Sequence, residues 1–500
     1  MAPDPIDLFL ADEAATIRLG RDLALAVRSG DVLALRGDLG AGKSTLARAL
    51  IRALADQPDL EAPSPTFTLA QFYEARIPVA HFDLYRLGGS DELEELGFDA
   101  ALQDGVALVE WPERAEDRLP VETVSLTLTH EGAGRRARLS GAGKAFDRVA
   151  RTLGIRKFLE ANGWGDAERR YLLGDASPRS YETAHLEGRP VRIIMNAPPL
   201  VLGPPVKDGK AYAEIVHTAR NVSAFVAIDA LLASHGVTVP EIYASDLENG
   251  YLLIEHLGAE PFLLDGEPVP LRYAAAAELL AQMHARNWPN LIKSGEARHR
   301  IMPFDRAAQM AEVELAVEWY VPYMTGEPAP DALRVEFAQL WNAALGEIEG
   351  GETSILMRDY HSPNIIWRND RAGNDRLGVI DFQDAMIGPT AYDLASLALD
   401  ARVDMSPELE RTIVDAYVAT RRAAGAFDEQ RFSHAYALMA AHRNSKILGG
   451  FVRLDRRDGK PYYLKHLPRI RAYVRRALAH PQLAGLRRLY EDNRLLEDET

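Results

Sequence analysis

A chain of 500 residues exceeds the roughly 250–300 residues at which a single hydrophobic core stops growing, so two or three domains are expected. With 47% hydrophobic and 26% charged residues, global disorder is excluded, and a net charge of −16 argues against a general binder of nucleic-acid backbones, leaving at most a local basic face. The absence of cysteine rules out disulfides, thiolate metal sites and a cysteine nucleophile.

The first nineteen residues carry Asp4, Asp7, Asp12 and Glu13 where a secretory leader would have a basic region and an apolar run. Apolar stretches such as 274–277 and 279–281 are broken by Glu278 far short of the roughly 20 residues that span a bilayer. The expectation is a cytoplasmic protein with no membrane partner. Residues 31–36 read as a short strand, 37–42 as a turn and 43–55 as a helix. Apolar runs at 77–82, 106–109 and 124–128 add strands to a compact α/β sheet. A Gly-rich, basic stretch over 130–144 reads as a hairpin followed by a linker, which puts a domain boundary near residue 148 and gives domains 1–148 and 149–500. Gly141-Ala142-Gly143-Lys144 imitates a phosphate loop, but Ala145 replaces the hydroxyl residue and Arg138 takes the place of the first glycine. Beyond it, 171–186, 191–195 and 251–257 suggest a small β-rich lobe. After Arg272 the chain reads as mainly helical, interrupted by a compact motif region over 355–382.

Gly37-Asp38-Leu39-Gly40-Ala41-Gly42-Lys43-Ser44 matches the phosphate-loop pattern in full, and it follows a strand and opens a helix as the pattern requires. Glycines let backbone N–H groups turn toward phosphate oxygens, and the helix N-terminus adds partial positive charge. Lys43 reaches the terminal phosphates, and Ser44 carries a hydroxyl suited to Mg²⁺, with Thr45 next to it in the nucleotide-binding set. Asp83 closes one apolar strand in the manner of a Walker B acid, with a solvated strand-end charge as the alternative, and Glu110 closes another.

Over residues 1 to about 145 these features resemble the TsaE family of ATPases of tRNA threonylcarbamoyladenosine biosynthesis. The resemblance rests on four motifs in order: the phosphate loop, Ser64-Pro65-Thr66-Phe67-Thr68, His81-Phe82-Asp83-Leu84-Tyr85-Arg86 and Glu110-Trp111-Pro112-Glu113. It implies Mg²⁺ coordination by Ser44 and Glu110, a nucleotide-sensing Thr66, and a Trp111 near the nucleotide, which otherwise reads as a core aromatic. It also implies partner proteins that modify adenosine 37 of tRNA.

In the second half, Arg358-Asp359-Tyr360-His361-Ser362-Pro363-Asn364 spaces an aspartate and an asparagine five residues apart, and Val379-Ile380-Asp381-Phe382 adds an acid after a strand. That is the spacing of a kinase catalytic loop: Asp359 accepts the proton of a substrate hydroxyl, and Asn364 and Asp381 hold Mg²⁺. His361 reads as a hydrogen-bonding support. The segment resembles the aminoglycoside phosphotransferase superfamily over about 150–488. Within it the chain is similar to anomeric sugar kinases of the AmgK type, through Gly174-Asp175-Ala176-Ser177, Met195-Asn196-Ala197-Pro198-Pro199, Asp381-Phe382-Gln383-Asp384-Ala385, the stretch 388–394, Lys446-Ile447-Leu448-Gly449 and Leu467-Pro468-Arg469. Met357 stands where a histidine is common, and 191–195 lacks the usual strand lysine, with Arg192 as a substitute or a solvent-facing side chain.

The fold expected is an α/β P-loop NTPase domain followed by a bilobal, kinase-like α+β domain. The resemblances imply ATP and Mg²⁺ as cofactors and N-acetylmuramate or N-acetylglucosamine as substrate, the product being a sugar 1-phosphate for cell-wall recycling. The alternatives are a kinase for an aminoglycoside, choline or homoserine, and a first domain acting as a nucleotide-dependent regulatory module.

Overall fold

The computed structural model describes residues 3–172 and 179–497. The chain forms two compact units, the first comprising Met1–Gly174, Arg179–Asn196 and Tyr251–Leu253 and the second the remainder. The Gly174-Asp175-Ala176-Ser177 segment lies outside the described residues.

The first unit is built on seven strands: β1 (Ile6–Leu10), β2 (Val32–Arg36), β3 (Ala70–Tyr73), β4 (Val79–Asp83), β5 (Val106–Glu110), β6 (Val124–Glu131) and β7 (Gly134–Ser140). Their order is β1-β7-β6-β2-β5-β4-β3. β2 runs parallel to β5 and β6, and β4 parallel to β5, so the C-terminal ends of β2, β4 and β5 lie side by side. β5 is buried at every position because both faces of the sheet are covered. Val106 and Leu108 pack with Leu33, Leu46 and Leu50 on one face, while Ala107 and Val109 pack with Phe82 and Phe98 on the other, as period-two alternation dictates. Helices α1 (Glu13–Ala26) and α2 (Lys43–Ala55) pack together, and α1 starts where the Asp12 carboxylate accepts the Ala15 N–H at 2.8 Å. The short helices α3 (Glu92–Glu95) and α4 (Phe98–Asp104) precede β5.

Where the sequence suggested a linker, the chain forms a 19-residue helix, α5 (Gly143–Ala161). Lys144 is exposed in its first turn, so the Gly141–Lys144 imitation is a helix start. Strands β8 (Glu168–Leu172), β9 (Ser180–His185) and β10 (Arg192–Asn196) follow, antiparallel in that order, with the strand Tyr251–Glu255 beyond β10.

A buried charge network ties these pieces together. Arg156 of α5 donates from Nε and Nη2 to both carboxylate oxygens of Asp22 on α1, each at 2.7 Å. Arg169 of β8 grips Glu182 of β9 at 2.7 and 3.0 Å, donates to the Thr152 carbonyl and hydroxyl at 2.9 Å each, and lies 3.3 Å from Asp22. All four charged residues are at most 7% exposed, and their two positive and two negative charges cancel.

The second unit is mostly helical: α6 (Tyr212–Ile215), α7 (Ser223–Ser234), α8 (Pro270–His284), α9 (Arg306–Leu315), α10 (Val321–Thr325), α11 (Asp331–Glu347), α12 (Ala391–Ala398), α13 (Pro407–Ala424), α14 (Glu429–Asp458), α15 (Leu467–Leu478) and α16 (Ala484–Asp492). A π-helical turn, Ala316–Tyr320, joins α9 to α10. Gly449 is required where the long α14 crosses it, since a Cβ there would stand 2.0 Å from the Leu315 carbonyl oxygen. The motif region threads through short strands: Thr353–Leu356 pairs with Met386–Pro389, and Ile365–Trp367 with Leu377–Val379.

Replacing Asp22 by Ala leaves Arg156 buried without its carboxylate, and the expected cost is about 3–5 kcal/mol. Urea denaturation followed by hydrogen exchange in α5 and β8 measures it. An unchanged midpoint and unchanged protection would show that the network contributes nothing to the unit.

Candidate functional site

The first site grows from the C-terminal edge of the parallel strands, where ligands of open α/β sheets bind. Residues 37–42 leave β2 in conformations open only to glycine at three places: φ is 131° at Gly37, 81° at Gly40 and 106° at Gly42. At Gly37 space also forbids a side chain, because a Cβ would lie 2.3 Å from the Leu128 carbonyl oxygen on β6. Asp38 and Leu39 are exposed at the loop's tip, Ala41 is buried beneath it, and Thr45 is half-buried in the first turn of α2. Lys43 is 5% exposed and folds back to donate to the carbonyl oxygens of Gly37 at 2.7 Å and Asp38 at 3.0 Å. Burial pushes its pKa below the usual lysine value, against the pull of Glu110 and Asp83.

The expected acids converge here. Glu110 is 2% exposed, and its carboxylate accepts from Ser44 Oγ at 3.1 Å and from His81 Nε2 at 3.0 Å. Asp83 pairs in register with Glu110 on the neighbouring strand and is 4% exposed, which removes the solvated strand-end alternative. It accepts from Ser64 Oγ at 2.6 Å and Thr66 Oγ1 at 3.1 Å, so the segment over 64–68 is tied to the end of β4. Trp111 takes a left-handed φ of 60° directly after β5; its half-buried ring lies 4.0 Å from Lys43 Nζ and packs on Tyr85. These hydroxyl and carboxylate oxygens suit a hard cation such as Mg²⁺, to which bound phosphates would add further oxygens. Sequence reasoning passed over Arg135. Its guanidinium carbon stands 3.6 Å from where a Gly42 Cβ would be, and its buried Nε has no hydrogen-bond partner. The only sequence signal was the basic character of the 130–144 stretch.

In the second unit the strand Thr353–Leu356 delivers the catalytic-type loop. Arg358 and Asp381, neither of them glycine, both hold left-handed backbones, with φ of 68° and 60°. The fully buried Asp393 of α12 holds the first of them by accepting the backbone N–H groups of Met357 at 2.5 Å and Arg358 at 2.9 Å. Burial pushes its carboxyl up to about 7 in spite of those two donors. The Arg358 guanidinium turns inward onto the fully buried Glu312, which also accepts from Lys446 Nζ at 2.9 Å and the Tyr392 hydroxyl at 3.0 Å. Burial alone would raise the Glu312 pKa, but Lys446 and Arg358 outweigh it and hold the group ionised.

Asp359 presents a side chain 51% exposed. Asn364 Nδ2 donates to the Asp359 carbonyl at 3.0 Å and reaches the Asp381 carboxylate at 3.4 Å, so one amide links the three expected residues. Gln383 Nε2 donates to the other Asp381 oxygen at 2.9 Å. Carboxylate and amide oxygens here again suit Mg²⁺. Desolvation pushes the Asp359 pKa up, but Lys446, His361, Arg443 and Arg358 together bring it below the usual carboxylate value. His361 Nε2 is 4.0 Å from the Asp359 carboxylate, too far for a hydrogen bond, and burial drops its pKa to about 4. His361 Nε2 also lies within 3.5 Å of Arg402 Nη1, and Asp400 supports the loop by accepting Ser362 N–H at 3.0 Å and its hydroxyl at 2.5 Å. Arg192 is half-buried in β10 of the first unit. The stretches 388–394 and 446–449 were singled out by resemblance alone, and the roles of Asp393 and Lys446 within them emerge from three-dimensional contacts.

Two family models match the chain: Threonylcarbamoyl adenosine biosynthesis protein TsaE over residues 10–138, and Phosphotransferase enzyme family over residues 164–427. An N-acetylmuramate/N-acetylglucosamine kinase of Caulobacter vibrioides is 33% identical over 347 residues, covering 67% of this chain and 94% of its own. A kinase of the same name from Pseudomonas putida is 31% identical over 334 residues, 65% of this chain and 89% of its own. A tRNA threonylcarbamoyladenosine biosynthesis protein TsaE of Streptomyces coelicolor is 41% identical over 114 residues, 22% of this chain and 76% of its own.

Gly37→Ala forces a side chain into a Gly-only conformation and against Leu128, so it is expected to weaken binding of a fluorescent ATP analogue at the first site at least about tenfold and to cost about 1–3 kcal/mol of stability. Nucleotide titration beside a thermal melt checks both; full nucleotide affinity in the variant would show that the loop geometry is not what holds the phosphates.

Proposed function

Because the chain belongs to the phosphotransferase enzyme family and carries a TsaE-family segment ahead of it, we propose a bifunctional protein. Its first activity is an ATPase supporting threonylcarbamoylation of tRNA adenosine 37, and its second an ATP-dependent anomeric kinase of N-acetylmuramate and N-acetylglucosamine. The division of the sequence between them is taken near residue 148. The kinase is the catalytic activity that the comparisons support most strongly; the observation that carries its mechanism is the Asn364 amide spanning the Asp359 carbonyl and the Asp381 carboxylate.

In this reading Asp359 accepts the proton of the sugar's C1 hydroxyl as its oxygen attacks the γ-phosphorus of ATP. The bond to ADP breaks, and sugar 1-phosphate, ADP and the proton result. Mg²⁺ held by Asn364 and Asp381 would offset the charge on the transferred phosphoryl group. A depressed Asp359 pKa keeps the base ready at neutral pH, and the clamp of Asp393 on the Met357 and Arg358 amides fixes where its carboxylate stands.

At the first site, Lys43 exchanges the carbonyls of Gly37 and Asp38 for phosphate oxygens, with Gly40, Ala41, Gly42 and Thr45 lining the approach. Ser44 and Glu110 would hold Mg²⁺ there, Asp83 tethers Thr66 where it senses the terminal phosphate, and Trp111 covers Lys43. One observation favours a role through partners: Leu39 is 88% exposed and Phe67 84%, two apolar side chains on the phosphate loop and the segment that Asp83 tethers. ATP turnover that rises on addition of tRNA-modification proteins supports that role. No helix among the described residues is long and apolar enough to cross a membrane.

In the full-length chain, Lys43→Ala is expected to abolish turnover at the first site and leave sugar phosphorylation intact. Asp359→Asn is expected to lower N-acetylmuramate phosphorylation by about 10²–10⁴-fold while sparing the first site. Loss of both activities in either variant contradicts two separate sites. The pH profile gives a further check: a carboxylate whose pKa is depressed stays ionised as pH falls, so kcat/KM for the sugar should show no acid limb from Asp359 above about pH 5, and a limb near pH 7 that Asp393→Asn abolishes belongs to the clamp, whose carboxyl burial raises to about 7. A limb above about pH 5 that persists after correction for ATP protonation and in Asp393→Asn would contradict Asp359 as the base.

A further inference from the structure

Helix α14 carries four consecutive buried polar residues into the second unit: His442, Arg443, Asn444 and Ser445. Three of them have partners. His442 Nε2 donates to the Gln309 carbonyl at 2.7 Å, Asn444 Nδ2 to the Ala440 carbonyl at 2.8 Å, and Ser445 Oγ accepts from the Tyr490 hydroxyl at 2.7 Å. Arg443 differs. It is 4% exposed, its Nη1 is buried with no hydrogen-bond partner, and it forms no ion pair among the described residues.

Such a position is costly, because a guanidinium does not give up its proton and a buried charge is ordinarily paired. The neighbouring cation on the same helix face follows that rule: Lys446 donates to Glu312 and Tyr392. Arg443 has no such counter-ion, and Lys446, three residues along α14, reaches Glu312 and Tyr392, of which Glu312 binds Arg358, the residue next to Asp359. Arg443 therefore belongs to the surroundings of the proposed base, where the acceptor hydroxyl must sit, whereas Asn364 and Asp381 form the side that holds the metal and the donor phosphates.

We propose that Arg443 is the anchor for an anionic group on the acceptor, a carboxylate that supplies the missing counter-ion and positions the hydroxyl at Asp359. The proposal rests on the reading of the second site as an amino-sugar kinase and sharpens it. N-acetylmuramate carries a lactyl carboxylate and N-acetylglucosamine does not, so the two sugars would be told apart by whether Arg443 is paired. A planar guanidinium can hold a carboxylate through two parallel N–H···O bonds, an arrangement that lysine does not reproduce.

The test is steady-state kinetics of the full-length chain at saturating MgATP, with both sugars, for wild type, Arg443→Gln and Arg443→Lys. The expected result in Arg443→Gln is a rise in KM for N-acetylmuramate about tenfold or more greater than any rise for N-acetylglucosamine, with a smaller difference between the two sugars in Arg443→Lys. Equal losses on both sugars, or no change on either, would overturn the anchor. Wild-type protein with N-acetylmuramate methyl ester gives a second measurement that does not depend on a variant folding: esterification should raise KM about tenfold or more, and an ester that serves as well as the acid would also overturn it. Should wild type phosphorylate neither sugar, the kinase reading itself fails, an outcome distinct from an active enzyme indifferent to Arg443.

Discussion

Arg169 sets the constraint on which the first unit depends. Its guanidinium is enclosed by Glu182, Asp22 and both oxygens of Thr152, so a strand, its hairpin partner, α1 and α5 all meet at one buried side chain. A charge so placed is tolerable only when its partners are held at hydrogen-bonding distance, which forbids independent movement of the elements that carry them. Arg156 repeats the requirement by binding Asp22 and the carbonyls of Gly165 and Ala167. Residues 143–161 are consequently a helix whose polar contacts are committed along one side. Arg148, Thr152 and Arg156, one turn apart in succession, meet Asp31, Arg169 and Asp22, and Arg151 beside them meets Asn196.

The two sites solve the problem of bringing backbone and side chains to bear on phosphate in opposite ways. The first uses glycine, whose freedom allows Gly37, Gly40 and Gly42 to take positive φ at no steric penalty, and it surrounds the loop with tethers that end on Asp83 and Glu110. The second gives comparable conformations to Arg358 and Asp381, for which they are unfavourable. Asp393 and Glu312 counter that strain at Arg358 by binding its backbone and side chain, so its deviant backbone is enforced from the core.

What the sequence made legible was local. The strand, loop and helix over 31–55, the acids that close β4 and β5, and the Asp359, Asn364, Asp381 spacing each depend on residues near one another in the chain. What it hid was relational. Arg156 lies 134 positions from Asp22 and Arg358 lies 46 from Glu312, and nothing in the composition of either neighbourhood announces the pairing. Glycine misled at 141–144, where Gly141 and Gly143 suggested a flexible connection; the apolar Ala145, Phe146, Val149 and Leu153 that follow at helical spacing decide the conformation by packing into the first core. His361, which reads from sequence as a hydrogen-bonding support, stands 4.0 Å from its near neighbour Asp359 and meets Arg402, 41 positions away, at 3.5 Å.

Charge balance separates the sites more sharply than their motifs do. At the first, Lys43 rests on carbonyl oxygens, weak partners that a phosphate would outcompete, so in the proposed reading the ligand's charge would replace an interaction already of the same kind. In the second unit, Arg358 and Lys446 share Glu312, one negative charge set against two positive ones, and both are held to it by direct hydrogen bonds. A buried cation still without a counter-ion is then the feature hardest to explain as structure, because a leucine or methionine of similar volume at 443 would pack there without the desolvation cost. In the proposed reading, the missing charge arrives with the acceptor that Asp359 would deprotonate.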